Sequence, residues 1–203
     1  MSIDRLERSF KNNRFGFSYV ETKEEALELV KKMIHENDVV SVGGSVTLKE
    51  CNILEYLENR KDIEYLDRYH CDDVHEVFRN AFKADVYLTS TNAITLNGEL
   101  YNVDRTGNRV AAMIYGPKKV IVVVGKNKIV NNIEEAIKRN EELCAIKNNI
   151  RLNIDNPCVK VGHCVHCNVP TKLCRSYTVI NYSESERIHI ILVNEDLGYY
   201  KTI

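Results

Sequence analysis

Short apolar runs alternate along the chain with stretches in which apolar residues recur at helical spacing. Runs bounded by turn residues, such as 119–125, are typical of strands buried on both faces of a sheet. The helical stretches have apolar residues three and four apart, and the one that begins at Thr22 also carries a T-x-x-E capping box. Strands are predicted at 17–20, 38–42, 63–66, 85–89, 119–125, 177–182 and 187–193. Helices are predicted at 3–13, 22–37, 48–59, 72–83, 108–115 and from 131 or 132 to about 147.

This alternation predicts the fold class. Strands that alternate with helices form a mostly parallel sheet with helices on both faces, so the sequence predicts an α/β fold. The chain has 203 residues, enough for one domain with a sizeable core. No repeat, low-complexity tract or linker divides it, and residues 1–203 are therefore interpreted as a single domain.

A cysteine-rich segment at 157–175 stands out from this pattern. Its four thiols follow the spacing C-x5-C-x2-C-x6-C and are Cys158, Cys164, Cys167 and Cys174. The short central spacing lets one turn direct two sulfurs at one centre, while the outer cysteines complete a set of four ligands. The sequence therefore predicts a metal-binding insertion near the C-terminus.

Two inorganic centres suit four thiolates. Zinc is held by four tetrahedral sulfurs, usually from paired C-x2-C motifs, whereas a [4Fe–4S] cluster accepts less regular spacing around a larger cube. The chain has a single C-x2-C motif, which favours the iron–sulfur cluster, with Zn²⁺ as the alternative. His163 and His166 are possible replacement ligands, and reduced thiols or a disulfide pair would explain the segment without a metal.

A second candidate site follows the predicted strand at 38–42. Gly43, Gly44 and Ser45 stand between this strand and a helix, where bare backbone N–H groups can bind an anion. Two glycines also suit any tight turn from a strand into a helix. Ligands of open α/β sheets collect at the carboxyl ends of the strands, which favours the binding interpretation.

Residues 92–109 contain further candidates. Asn97 and Gly98 predict the turn of a β-hairpin. Glu99 and Asp104 are candidate acid or base groups for catalysis. Asn92 and Asn108 are candidate amide contacts to a ligand. The alternative is that Glu99 is an exposed hairpin residue and that Asp104 caps a helix.

Composition limits the partners. The chain has 28 basic and 29 acidic residues, so nothing indicates a nucleic-acid partner or an anionic membrane surface. No apolar stretch of the length of a membrane span and no signal-like start is present, and a cytoplasmic location is expected. Seven cysteines in a reducing compartment indicate metal binding more than disulfides. The oligomeric state cannot be predicted from these features.

Several motifs together resemble one protein family. They are the run at 90–100, the Gly43-Gly44-Ser45 turn, the cysteine-rich segment and the ending at 192–199. In these motifs the chain resembles the LUD domain family, the lactate utilisation proteins, which is similar in fold to the superfamily of ribose-5-phosphate isomerase and the CoA transferases. The resemblance implies a role near lactate oxidation or another redox pathway, with redox proteins as partners.

Two functional hypotheses follow, and neither decides whether the protein is an enzyme. In the first, a redox component binds a [4Fe–4S] cluster beside a cleft for a small anionic or carboxylate ligand. In the second, an isomerase-like or small-molecule-binding protein carries a structural zinc site, and the residues around its ligand include Asn92, Glu99, Asp104 and Asn108.

Overall fold

The computed structural model describes residues 3–200 and contains two sheets. The strands are β1 (Gly16–Val20), β2 (Val39–Val42), β3 (Glu64–Leu66), β4 (Val86–Thr89), β5 (Ala93–Thr95), β6 (Leu100–Asp104), β7 (Lys119–Gly125), β8 (Ile129–Val130), β9 (Ser176–Ile180) and β10 (Ile188–Val193). The helices are α1 (Ile3–Asn12), α2 (Lys23–Met33), α3 (Val46–Glu50), α4 (Ile53–Asn59), α5 (Val74–Asn80), α6 (Asn108–Ile114), α7 (Ile133–Arg139), α8 (Ala145–Arg151) and α9 (Pro157–Val161).

The larger sheet has the order β1-β10-β7-β4-β2-β3, and all its neighbouring strands are parallel. Apolar side chains cover both of its faces, as the near-continuous apolar sequence of β7 predicts. Val120, Val122 and Val124 belong to the cluster that contains α1, while Ile121 and Val123 belong to the cluster that contains α2, α3 and α4. The predicted α/β fold with a mostly parallel, helix-flanked sheet is confirmed.

The smaller sheet has the order β8-β5-β6-β9. β5 and β6 form the predicted hairpin, and their turn contains Gly98 with φ +77°. A side chain at Gly98 would place its Cβ 2.8 Å from the backbone carbon of Ser9, so only glycine lets α1 pack on this turn. β9 then pairs with β6 in antiparallel register and joins the residues after the cysteine segment to the hairpin.

Helix boundaries differ from the prediction at three places. α2 ends at Met33 and not near residue 37, because Ile34 is extended and the His35 N–H donates to the Asp38 carboxylate at 2.7 Å. The helix predicted at 48–59 is broken in two by Asn52, which has φ +55°. The last long helix extends to Arg151 and contains a π-helical turn at Asn140–Cys144.

The cysteine-rich segment lies between α8 and β9. Its first residues form the short helix α9, which contains Cys158 and ends at Gly162 with φ +78°. Within residues 3–200, no helix combines the length and the apolar character needed to cross a bilayer.

Candidate functional site

A cleft of about 520 Å³ opens at the carboxyl ends of the parallel strands. Gly44 and Ser45 follow β2, Ser90 and Thr91 follow β4, and Lys128 follows β7; all five line the cleft. This is the edge at which open α/β sheets bind their ligands. The volume suits a small molecule.

The wall of the cleft is strongly basic. Its basic residues are Arg68, Arg105, Arg109, Lys128, Arg139 and Arg151, and its single carboxylate is Asp104. Asp104 is already paired with Arg109, at 2.6 Å between carboxylate oxygen and guanidinium nitrogen. The excess positive charge favours an anionic ligand.

Arg68 carries the clearest unpaired charge in the cleft. Its guanidinium carbon lies 4.8 Å from the ring centre of Phe78, a stacking contact that holds the side chain in place. Within the described chain, no carboxylate or carbonyl accepts a hydrogen bond from this guanidinium, and the same is true of Arg105. Both cations are therefore available to a ligand.

Arg109 has a different role, because five oxygen acceptors surround it. It donates to the side chains of Asp104, Asn92 and Asn102 at 2.5 to 3.0 Å. It also donates to the carbonyls of Ser90 and Val103. These bonds tie the loop after β4 to β6 and to the start of α6.

Arg109 thus forms hydrogen bonds with Asp104 and Asn92, two residues that the sequence predicts for the site. Asp104 accepts from the Arg109 guanidinium and from the Val110 N–H at 3.0 Å, so both of its oxygens have structural partners. The Asn92 carbonyl oxygen accepts from Arg109 and from the Val103 N–H. Both residues line the cleft, as does Asn108 at the first position of α6.

The remaining predicted residues divide between the cleft and its surroundings. Gly44 and Ser45 line the cleft, and the Ser45 hydroxyl accepts from the Leu48 N–H at the start of α3. Gly43 is not part of the lining, and its N–H donates to the Leu88 carbonyl at 2.8 Å. Glu99 also lies outside the lining, where it accepts from the Thr95 hydroxyl at 2.6 Å. The ligand and catalytic roles of these two residues stay predictions.

Lys128 is a cleft residue that the sequence reading missed. Its side chain is 5% exposed, and its amine donates to the hydroxyls of Thr47 and Ser90, each at 2.7 Å. Burial lowers the pKa of Lys128 to about 7, and the nearby Arg139 and Arg109 act in the same direction. Cys144 lies close by, with its sulfur 3.0 Å from the Arg139 guanidinium.

The four predicted metal ligands line one small cavity, named here the cysteine cavity. Burial raises the pKa of the Cys158 and Cys174 thiols. Negative charge on the other cysteines of the cavity raises both pKa values further, so the four thiols lie close enough to interact electrostatically. Two N–H groups approach the sulfurs: Asn149 Nδ2 lies 3.7 Å from Cys158, and the His166 backbone lies 3.4 Å from Cys164.

The spacing of the sulfurs bears on the type of centre. Among residues 3–200, no three of the four cysteines bring their sulfurs within 4.8 Å of one another. Tetrahedral zinc with Zn–S bonds of about 2.3 Å requires sulfurs about 3.8 Å apart. As placed, the four thiols therefore do not have the spacing of a tetrahedral zinc site.

A tighter group of donors overlaps the cysteine cavity. Glu141, Cys164 and His166 each place one donor atom within 4.8 Å of the others. His166 Nε2 lies 3.7 Å from the Glu141 carboxylate. These three residues have donor types that bind zinc, although they include only one of the four cysteines.

The cleft and the cysteine cavity are neighbours. Leu173, Cys174 and Ala145 line both of them. Tyr199 also lines the cleft, and its carbonyl accepts from Arg139 at 2.6 Å, so this bond ties Tyr199 to the cleft wall.

Comparison with known proteins identifies the family of this chain and one solved structure of similar fold. The chain matches the family model of the LUD domain over residues 3–193. The crystal structure of a DUF162 family protein from Deinococcus radiodurans is similar, with a TM-score of 0.58, 14% identity, and coverage of 95% of this chain and 96% of that chain. The crystal structure of eIF2B delta from Chaetomium thermophilum has a TM-score of 0.39 at 17% identity, and the match covers 66% of this chain and 55% of that chain. No curated protein matches the chain. The family match spans nearly all of the sequence, and the chain belongs to the LUD domain family.

Proposed function

We propose that this LUD domain protein binds a [4Fe–4S] cluster through Cys158, Cys164, Cys167 and Cys174 and acts as a redox component on a small anion in the adjacent cleft. The observation that carries the proposal is the shared wall, because Cys174 lines both the cysteine cavity and the cleft. When bound, such a cluster supplies one-electron transfer. A cluster ligated by Cys174 would adjoin the bound anion.

Other residues of the chain stabilise the charge of the thiolates and bind the anion. The thiolates of a filled site carry negative charge, and the N–H groups of Asn149 and His166 are placed to stabilise it. Arg68 and Arg105 bind and orient the anion, while the Asp104–Arg109 pair fixes the wall behind it. We expect a carboxylate or phosphorylated ligand, with a hydroxy acid such as lactate favoured by the family resemblance. A redox protein would receive or supply the electron.

Metal analysis after anaerobic purification tests the cluster. We expect about four iron and four sulfide per chain and a broad visible absorption, because each thiolate binds one iron of the cube. Cys164→Ser and Cys167→Ser should lose iron together with colour. Cys71→Ser is the matched control, since Cys71 is exposed and outside the cysteine cavity. A colourless protein with one zinc per chain would contradict the proposal.

Calorimetric titration tests the cleft. Inorganic phosphate and L-lactate should bind the wild type. Arg68→Gln should lower the affinity for the anion that binds more tightly by about tenfold or more, because the substitution removes an unpaired cation. Arg79→Gln is the control, since Arg79 is exposed and lies outside the cleft. Equal affinity in the two variants would place anion binding elsewhere.

A second candidate is a small-molecule-binding or isomerase-like protein with a structural zinc. The compact Glu141–Cys164–His166 group is the observation that favours it. In that case Glu141→Gln and His166→Gln should lose zinc, whereas Cys158→Ser and Cys174→Ser should keep it. A [4Fe–4S] centre predicts the opposite response.

A further inference from the structure

Lys128 is the one amine on the wall of the cleft, within the described chain, and the redox proposal gives it no task. Its neighbours hold it in a defined position, with the Thr47 and Ser90 hydroxyls both 2.7 Å from Nζ. A neutral amine has two hydrogens and one lone pair. Two hydroxyl acceptors therefore satisfy both hydrogens and leave the lone pair free to point elsewhere.

The surroundings of Lys128 favour the uncharged amine, compared with a lysine in water. Desolvation is the main cause, and the charges of Arg139 and Arg109 add to it, while Cys144 and Glu50 oppose it; the resulting pKa is about 7. A lysine at the surface has less than one thousandth of its amine neutral at pH 7, whereas a pKa lowered to about 7 makes the neutral amine a substantial fraction. Desolvation beside other cations is a recognised way to activate a lysine as a nucleophile.

The cleft also places anion-binding groups around this amine. Arg68 and Arg105 have no acceptor within the described chain, and both line the same cleft as Lys128. A molecule with an anionic group and a carbonyl group offers the first to the arginines and the second to the amine, since all three side chains line one cleft. Oxo acids and phosphorylated aldehydes or ketones have both groups.

We propose that Lys128 forms an imine with an aldehyde or ketone group of an anionic ligand in the cleft. The nitrogen lone pair attacks the carbonyl carbon, the C–O π bond breaks, and a proton passes from nitrogen to oxygen to give a carbinolamine. The carbinolamine then loses its hydroxyl group and the second nitrogen proton together as water, which forms the C=N bond, and no oxidant or reductant is consumed. The inference rests on the proposed anion site and names a carbonyl class of ligand for it.

The test uses pyridoxal 5′-phosphate, an aldehyde that carries a phosphate, followed by borohydride. Hydride addition to an imine leaves a stable secondary amine, which peptide mass spectrometry assigns to one lysine. We expect Lys128 to be the lysine labelled first at pH 7.5, and inorganic phosphate to slow its labelling by competing for the arginines. Labelling should fall severalfold as the pH is lowered from 8 to 6, because the amine becomes protonated.

Variants separate reactivity from structure. Lys128→Arg should lose the rapid label, while Lys126→Arg, which changes an exposed lysine, should keep it. Arg68→Gln should slow labelling of Lys128 without altering that lysine, which keeps the test decisive if Lys128→Arg folds poorly. Wild-type protein labelled at surface lysines and not at Lys128 would overturn the inference.

Phosphate titration of the same sample distinguishes the two proposals. If phosphate binds and Lys128 stays unlabelled, the imine inference fails while the anion site stands. If phosphate does not bind and its addition leaves labelling unchanged, the anion site fails, and with it the ligand class inferred here.

Discussion

Asp104 and Arg109 form an ion pair at 2.6 Å whose side chains are only 7% and 12% exposed. Removing one partner of a buried pair leaves the other charge without compensation, at a cost of about 3 to 5 kcal/mol. We therefore expect Asp104→Asn to lower the free energy of unfolding by about this amount in chemical denaturation. Glu28→Gln breaks a pair of the same length with Lys31 that is exposed, and should cost less than about 1 kcal/mol. Equal effects would show that the Arg109 network does not hold the wall of the cleft.

Gly198 packs closely against Thr47 and Lys128. Its φ is +76°, and an added Cβ would lie 2.7 Å from the Thr47 hydroxyl oxygen and 3.1 Å from the Lys128 amine. Gly198→Ala should therefore destabilise the fold by the strain of the left-handed backbone, about 1 to 2 kcal/mol, and by a steric clash in addition.

Gly162→Ala is the matched control for this substitution. Gly162 has nearly the same φ, +78°, but a Cβ there meets no atom within 4 Å. The difference between the two midpoints in thermal unfolding measures the clash alone. No difference would mean that the residues around Lys128 move aside at little cost.

The buried amine should also make stability depend on pH. The pKa of Lys128 is lowered by burial from its ordinary 10.5 to about 7, so the unfolded chain binds more protons than the folded chain between these values. The cost of burying the charge is complete below pH 7 and disappears as the pH rises toward 10.5. Lys128→Met should accordingly stabilise the protein most near pH 6, on the order of 3 to 5 kcal/mol, and least near pH 10.

Denaturant unfolding at pH 6 and pH 9.5 measures this difference. Lys126→Met serves as the control, because Lys126 is exposed and its substitution should have nearly the same effect at both values. If Lys128→Met also has the same effect at both pH values, the amine is charged throughout, and its proposed nucleophilic role loses its basis.

Loss of the metal centre should release the cysteine-rich segment and leave the parallel sheet intact. β7 and β10 lie in the middle of the sheet, and their apolar cores contain none of the four cysteines. Hydrogen exchange before and after treatment with an iron chelator should show faster exchange at 157–175 and unchanged protection in β7. Faster exchange throughout the sheet would show that the fold depends on the metal.

Much of the fold could be predicted because several strands and turns carry a local signal. β7 is a continuous apolar run, and the Asn97-Gly98 turn marks the β5–β6 hairpin. The pairing of β9 with β6 has no such signal, since it joins segments about 75 residues apart and depends on the tertiary fold. The π-helical turn before α8 was missed for a similar reason, because the apolar spacing through it remains helical.

The cleft was only partly predictable from sequence. Gly44, Ser45, Asn92 and Asn108 line it as their positions after strands and before helices suggested. The basic residues were missed because the sequence around a single lysine or arginine does not distinguish a surface position from a position in a cleft. Arg109 did offer a signal: a cation in the first turn of α6 is disfavoured by the helix dipole, which indicates a specific partner such as Asp104.

The most direct test of the account is electron paramagnetic resonance of the anaerobically purified, reduced protein, recorded with and without an anion shown by calorimetry to bind. The account predicts the signal of a [4Fe–4S] centre and a change in its g values when phosphate or L-lactate enters the cleft beside Cys174. Arg68→Gln should keep the signal and require more anion for the change. Absence of a cluster signal, or a cluster signal that saturating anion leaves unchanged, would contradict the proposal that an iron–sulfur centre and an anion site share one wall.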